Sequence, residues 1–117
     1  MKRLILFLLP VIFTLSLCSC STTKTLYSWY GYDNAVHTFT KDRTPKSEEH
    51  LIKEYERLIN TPNGTRKMVQ PGICAEYGYL LIKQGKREEG LQLLKKEIEL
   101  YPESKVFITR IIKQFEK

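Results

Sequence analysis

The sequence predicts an all-α fold, a small helical bundle in which one helix-turn-helix unit is flanked by further helices. Apolar residues recur at helical spacing in four segments after residue 46, as in helices that bury one face. Prolines, glycines and an asparagine separate these segments. Only residues 25–32 show a pattern that would also suit a strand. A chain of 117 residues has room for one such domain.

Residues 1–19 have the three-part layout of a secretory signal peptide. Lys2 and Arg3 precede a mostly apolar run, and the small Ser19 stands directly before Cys20. With Leu17, these residues resemble the lipobox of bacterial lipoproteins. A transmembrane helix needs about 20 apolar residues, and this run is shorter. We therefore predict removal of residues 1–19 and lipidation of Cys20. A cleaved chain with unmodified Cys20 is the alternative.

Residues 20–25 are predicted to be the lipidated cysteine and a short Ser/Thr linker. No acidic residue follows Cys20 directly, which favours the outer membrane over the inner one. The linker is short, so the domain is expected close to the membrane and facing the periplasm. Without Lys2 and Arg3 the formal charge falls from +6 to +4. Export argues against a nucleic-acid partner. The positive charge is explained by a solvated surface or by contact with anionic lipid headgroups.

Residues 26–46 form an aromatic-rich segment followed by a loop. Asp33 is predicted to cap a short helix that carries Val36 and Phe39, with a loop from residue 40 to residue 46. Three interpretations of the aromatic side chains stay open. Tyr27, Trp29 and Tyr32 cap the core, or the cluster binds a glycan or a partner, or it lies at the membrane interface.

Residues 47–117 are predicted to form the helical domain. Thr44-Pro45 or Ser47 opens the first long helix, which ends before residues 60–64. The second helix runs from Pro71 to Gln84 and ends at Gly85 as a left-handed cap. The third spans residues 87–101 and stops at Pro102. Ser104 is predicted to cap the last helix, whose apolar residues are Phe107, Ile108, Ile111, Ile112 and Phe115. Cys74, which has no disulfide partner once Cys18 is removed and Cys20 lipidated, is expected in the core.

Residues 71–104 resemble one tetratricopeptide repeat. The segment has the repeat's 34 residues, Gly78 takes the small position at the helix crossing, and Pro102 matches the closing proline. Cys74 and Glu97 depart from the pattern, since they replace an aromatic and a small residue. One repeat cannot bury both of its faces, so the flanking helices are expected to supply neighbours.

A second resemblance covers nearly the whole chain. It is carried by the lipobox, by Leu26-Tyr27-Ser28-Trp29, by residues 71–80 and by Tyr101-Pro102-Glu103-Ser104 before the final helix. These motifs resemble a family of small bacterial outer-membrane lipoproteins classed as a domain of unknown function. Members often occur beside a lipoprotein similar to the curli secretion channel. The resemblance therefore implies an envelope assembly and implies no catalytic residue.

The sequence favours a non-catalytic interaction module over an enzyme. It lacks a nucleophile beside a base, paired carboxylates in an apolar setting, metal-ligand spacing and a glycine-rich phosphate loop. We therefore expect no catalytic residue, metal or cofactor. A repeat-like scaffold offers a surface for an envelope protein partner. The candidate contacts are Tyr79, Lys83, Arg87, Trp29 and Tyr30. Binding of peptidoglycan or another glycan is the alternative function.

Overall fold

The computed structural model describes residues 1–6 and 24–117, of which residues 2–6 are helical. The helices after residue 24 are α1 (Tyr32–Lys41), α2 (Pro45–Asn60), α3 (Ile73–Lys83), α4 (Arg87–Leu100) and α5 (Lys105–Phe115). A 3-10 turn over Pro102–Ser104 joins α4 to α5. These two stretches contain no strand, and the all-α prediction is confirmed. Cys20, the predicted lipid site, lies outside the described residues.

The start of α2 follows directly from its sequence. The Thr44 hydroxyl accepts from the Ser47 backbone N–H, and the Ser47 hydroxyl accepts from the Thr44 N–H. Pro45 occupies the first helical position, where a missing N–H costs nothing. This reciprocal capping box fixes the helix start. The start of α1 differs from the prediction, because Gly31 takes the N-cap position and Asp33 lies in the first turn.

Helices α3 and α4 form a tight antiparallel hairpin. Gly78 faces Gly90 at the crossing, and a Cβ atom added at Gly78 would lie 2.7 Å from the Gly90 carbonyl oxygen. A Cβ at Gly90 would overlap the Gly78 carbonyl oxygen in the same way. Only glycine at both positions allows the two backbones to approach this closely. Gly85, with a φ of 86°, makes the turn between the helices, as predicted.

The apolar core is divided between two clusters on either side of this hairpin. The first joins α1, α2 and α3 around Ala35, Leu51, Tyr55, Leu58, Val69, Ile73 and Cys74. The second joins α4 and α5 around Leu94, Ile108 and Ile112. Ala75 and Ile82 of α3 pack against the second cluster, so α3 contributes to both. The flanking helices thus cover the hairpin on two sides, as the sequence analysis expected.

The predicted side-chain cap of α5 is wrong, and the apolar residues of this helix are not all buried. The Ser104 hydroxyl makes no cap on α5 and instead donates to the Tyr101 carbonyl at 2.7 Å. Phe107 is 66% exposed beside the equally exposed Val106, whereas Ile108 and Ile112 are buried. Helix α5 packs against α4 through one narrow stripe, and Phe107 lies about 100° around the helix from Ile108. Nothing in the described chain covers that second face of α5.

The aromatic segment is bound to the loop between α2 and α3. The Leu26 carbonyl accepts from the Arg66 N–H at 3.1 Å, and the Ser28 N–H donates to the Asn63 carbonyl at 3.2 Å. The buried Gln70 side chain donates to the Ser28 carbonyl at 2.5 Å. Gly64 permits this approach, because a Cβ there would lie 2.6 Å from the Leu26 carbonyl oxygen. The segment is therefore extended and held by backbone bonds without being a strand.

Candidate functional site

A groove of about 600 Å³ lies between α1, α2 and α3. Its walls combine apolar side chains with a charged rim. The apolar residues are Val36, Phe39, Leu51, Tyr55 and Leu80, and the polar or charged ones are Arg43, Glu48, Glu76, Tyr79 and Lys83. This composition, apolar with a few polar groups, is typical of a ligand or partner site.

The two carboxylates of the groove already accept hydrogen bonds from other side chains of this protein. Glu76 Oε2 accepts from the Tyr32 hydroxyl at 2.5 Å and from the Tyr55 hydroxyl at 3.1 Å. The pKa of both tyrosines is raised well above the ordinary tyrosine value. Burial is the largest cause, and the neighbouring Glu76 carboxylate adds to it. Glu48 Oε1 accepts from the Gln84 side-chain amide at 2.7 Å.

The two cations of the groove have no acidic partner within residues 24–117. The Arg43 guanidinium lies 5.9 Å from the Phe39 ring centre, and the Lys83 ammonium lies 5.5 Å from the Tyr79 ring centre. Neither forms an ion pair with a carboxylate of the described chain. The groove therefore has an apolar floor and a rim with both signs of charge, on which the two cations lack an ion-pair partner within the described part of the protein and the two carboxylates accept hydrogen bonds from neutral groups.

The predicted contact residues fall in three places. Tyr79 and Lys83 come together on the groove, and Tyr79 also packs against Phe115 of α5, with ring centres 5.8 Å apart. Arg87 lies at the start of α4, beyond the turn, and does not line the groove. Trp29 and Tyr30 lie on the aromatic segment.

Arg43 belongs to the groove, but the sequence analysis missed it. Arg43 lies in the loop between α1 and α2, where the sequence predicts a loop. The packing of α1 and α2 against α3 brings Phe39 and Arg43 to the same groove as Lys83. Helical periodicity gives no signal of which helix that loop lies beside.

The aromatic segment divides its side chains between packing and exposure. Tyr32 lies between Trp29 and Tyr55, at 5.8 Å and 5.7 Å between ring centres. Tyr77 stacks on Tyr55 at 5.3 Å, and burial with the nearby Glu56 raises the pKa of Tyr77 to about 12. The packing interpretation therefore holds for Tyr32 and the partly buried Tyr27, whereas Trp29 and Tyr30 remain exposed.

A buried carboxylate at the hairpin was not expected. Glu97 is 2% exposed, and its Oε1 accepts from the Gly72 N–H at the start of α3 at 2.6 Å. Its Oε2 has no hydrogen-bond partner in the described chain. A negative charge at a helix N-terminus is favourable, which accounts for its place here. Cys74 is fully buried, as predicted, and burial with the nearby Glu97 raises the pKa of its thiol to about 11.

Residues 1–6 and 24–117 contain no group of three or more His, Cys, Asp or Glu side chains that could hold a metal ion. They also contain no helix with the length and apolar character needed to cross a membrane.

The described residues thus define a small all-α protein with an amphipathic groove. The chain belongs to the family described as a domain of unknown function, DUF4810, whose profile matches residues 26–111. That range takes in the aromatic segment, the groove and most of α5. No curated protein and no solved structure matches the chain.

Proposed function

We propose that this chain is an outer-membrane lipoprotein, anchored through Cys20 and facing the periplasm, that binds an envelope protein partner without catalysing a reaction. The partner inserts an apolar segment with a carboxylate into the groove between α1, α2 and α3. A lipoprotein similar to the curli secretion channel is a candidate for the assembly, through the family resemblance of the sequence.

The anchoring part of the proposal is supported by the sequence. Leu17, Ser19 and Cys20 have the lipobox arrangement, after a basic start and an apolar run. The resemblance of residues 71–104 to a tetratricopeptide repeat supports the binding part, because such repeats present concave surfaces to peptides and helices.

The observation that carries the binding part is the pair of free cations above an apolar floor. Arg43 and Lys83 come from different elements, yet both line the same groove. The nearby carboxylates of Glu48 and Glu76 already accept hydrogen bonds from this chain. A carboxylate on a partner would therefore meet two positive charges without displacing an internal ion pair.

Charge reversal in the groove tests this proposal. We expect the full-length lipidated chain with Arg43→Glu and Lys83→Glu to recover its crosslinked envelope partner at least about tenfold less well than wild type. The reason is that like charges brought together at an interface cost several kcal/mol, and each 1.4 kcal/mol is a factor of ten.

A matched variant controls for net charge. Lys86→Glu with Arg87→Glu makes the same change of charge at the far side of the turn, outside the groove, and should leave recovery unchanged. Circular dichroism checks that both double variants are folded. Equal recovery by the groove variant and wild type would show that the groove does not bind the partner.

A further inference from the structure

The aromatic segment leaves a group of apolar side chains in solvent. Leu26 is 59% exposed, Trp29 43% and Tyr30 36%. They lie within five residues of one another, and the loop between α2 and α3 holds their backbone. Burial of these side chains would increase the stability of a small domain, yet they remain exposed to solvent.

The conformation of Tyr30 shows that this exposure is built into the fold. Tyr30 has a φ of 44°, which is unfavourable for a residue with a side chain. Its hydroxyl donates to the Thr61 carbonyl at 2.6 Å, and the Arg57 guanidinium lies 4.0 Å above its ring centre. Such backbone strain persists only where surrounding contacts hold it in place.

The two stretches of chain that carry these side chains are basic, although Glu54 Oε2 accepts from the Gly31 N–H at 3.1 Å at the edge of the face. Residues 24–32 and 61–70, which pair with each other, contain three cations and no acidic residue. The cations are Lys24, Arg66 and Lys67, and all three are exposed. Arg66 also donates to the Tyr27 hydroxyl at 2.9 Å, so its charge is held beside the aromatic segment.

We propose that residues 24–31 with the loop at residues 61–67 form a face that lies against the phospholipid surface. Leu26, Trp29 and Tyr30 enter the interfacial layer, and the cations meet anionic headgroups. The inference rests on the proposed lipid anchor at Cys20. Leu26 follows Cys20 by six positions, and an extended chain spans at most about 22 Å over that distance. The aromatic face is therefore the part of the domain nearest the lipid.

A lipid surface fits these residues better than a glycan does. Sugars stack on open aromatic faces, but Arg57 covers one face of Tyr30 and Tyr32 lies beside Trp29. Leu26, the most exposed of the three, offers an aliphatic surface with no polar group. Tyr and Trp rings with adjacent Leu and basic residues are the composition found at membrane interfaces.

The single tryptophan of the chain makes the test direct. The purified lipidated protein is reconstituted in vesicles of phosphatidylethanolamine and phosphatidylglycerol, with or without brominated acyl chains. We expect the Trp29 emission to be blue-shifted and to lose most of its intensity in brominated vesicles. Trp29 emission that is not quenched by the brominated acyl chains would overturn the inference.

Two charge variants extend the measurement. Lys24→Glu with Lys67→Glu should reduce the quenching of Trp29, whereas Lys86→Glu with Arg87→Glu at the opposite end of the hairpin should not. Equal quenching in both variants would exclude a role for the basic residues. Purified peptidoglycan sacculi serve as the competing ligand. A shift of the Trp29 emission with sacculi but not with vesicles would overturn the inference and indicate that this face binds a glycan.

The anchor itself is tested separately, with Cys20→Ser and metabolic labelling by an acyl analogue. Label that persists in Cys20→Ser would overturn the proposed anchor, whatever Trp29 reports. Label that is lost in Cys20→Ser, together with unquenched Trp29 in the lipidated wild type, would overturn only the membrane-facing surface.

Discussion

Gly78 and Gly90 determine how closely the two central helices approach. The sequence analysis identified Gly78 through the repeat-like pattern, because that pattern reserves a small residue for the crossing. The structure adds that each glycine faces the other's carbonyl oxygen. The crossing is therefore a backbone-to-backbone contact, in which even one methyl group has no room.

Gly78→Ala is expected to destabilise the domain by about 1–3 kcal/mol, the usual cost of overpacking a filled core. For a domain of this size, each kcal/mol lowers the melting temperature by about 4–8 °C. Thermal unfolding followed by circular dichroism measures the shift. Gln92→Ala on the exposed side of α4 is the control and should stay within about 0.5 kcal/mol of wild type. A melting temperature for Gly78→Ala equal to that of the control would contradict the close crossing.

Glu97 shows what sequence reasoning could not reach at this scale. A charged residue in an amphipathic helix is normally expected on the exposed face. Its burial depends on the start of α3, 25 residues away in the chain, where the Gly72 N–H needs an acceptor. The one available signal was its departure from the small residue that the repeat pattern favours. Cys74, the other departure, was predicted correctly because a small apolar side chain suits a core.

At the scale of elements, α1 packs against the domain through the buried Ala35 and its apolar neighbours, and Glu76 adds a polar contact between α1 and α3. The Glu76 carboxylate on α3 accepts from Tyr32 on α1 and from Tyr55 on α2. Three helices therefore meet at one acceptor atom beside the groove. Removal of that acceptor leaves the half-buried Tyr32 hydroxyl without its partner.

Glu76→Ala is expected to raise amide hydrogen exchange in α1 more than in α3 or α4, because local opening follows the loss of tertiary contacts. Hydrogen exchange with peptide mass spectrometry resolves the helices. Glu99→Ala, at an exposed site of α4, is the control. A uniform increase over all helices in Glu76→Ala would indicate that the acceptor stabilises the whole domain and does not specifically hold α1.

The sequence predicted the order of the helices well and the extent of α1 poorly. Residues 40–46 are polar and were expected to be a loop, yet α1 continues to Lys41. The Thr38 and Thr40 hydroxyls donate to carbonyls four residues earlier, at 2.8 Å each. These bonds satisfy hydroxyls that would otherwise compete with the helix. The groove was out of reach for a different reason, because it depends on how α1 and α2 pack against α3, which helical periodicity does not determine.

At the scale of the whole molecule, the ionisation of buried tyrosines makes the stability of the fold depend on pH. Burial is the first cause that raises the pKa of Tyr32, Tyr55, Tyr77 and Tyr101. Above the ordinary tyrosine pKa of 10.0, the unfolded chain loses protons that the folded chain keeps. The tyrosines therefore contribute stability that is fully present below about pH 10 and is lost as the pH rises towards their folded values.

We expect alkaline unfolding to be cooperative and to begin above about pH 10. Tyrosinate absorbance and far-ultraviolet circular dichroism are titrated in parallel, and a large part of the rise in absorbance should coincide with the loss of helicity. Tyr55→Phe removes one of the buried ionisations and should move the midpoint of unfolding to higher pH. Complete tyrosinate formation with intact helicity would contradict the burial of these four side chains.

The pairing of the aromatic segment with the second loop also fixes an order of events in time. Ser28 and Gln70, which share a hydrogen bond, are 42 positions apart. The chain must close a loop of that length before the segment can pair, and the entropy cost of loop closure rises with loop length. The α3–α4 hairpin, by contrast, closes between neighbours in the chain. The aromatic segment, which comes first in the domain, is thus expected among the last parts to pack. A chain that ends before Gln70 lacks one of the residues that hold this segment in place.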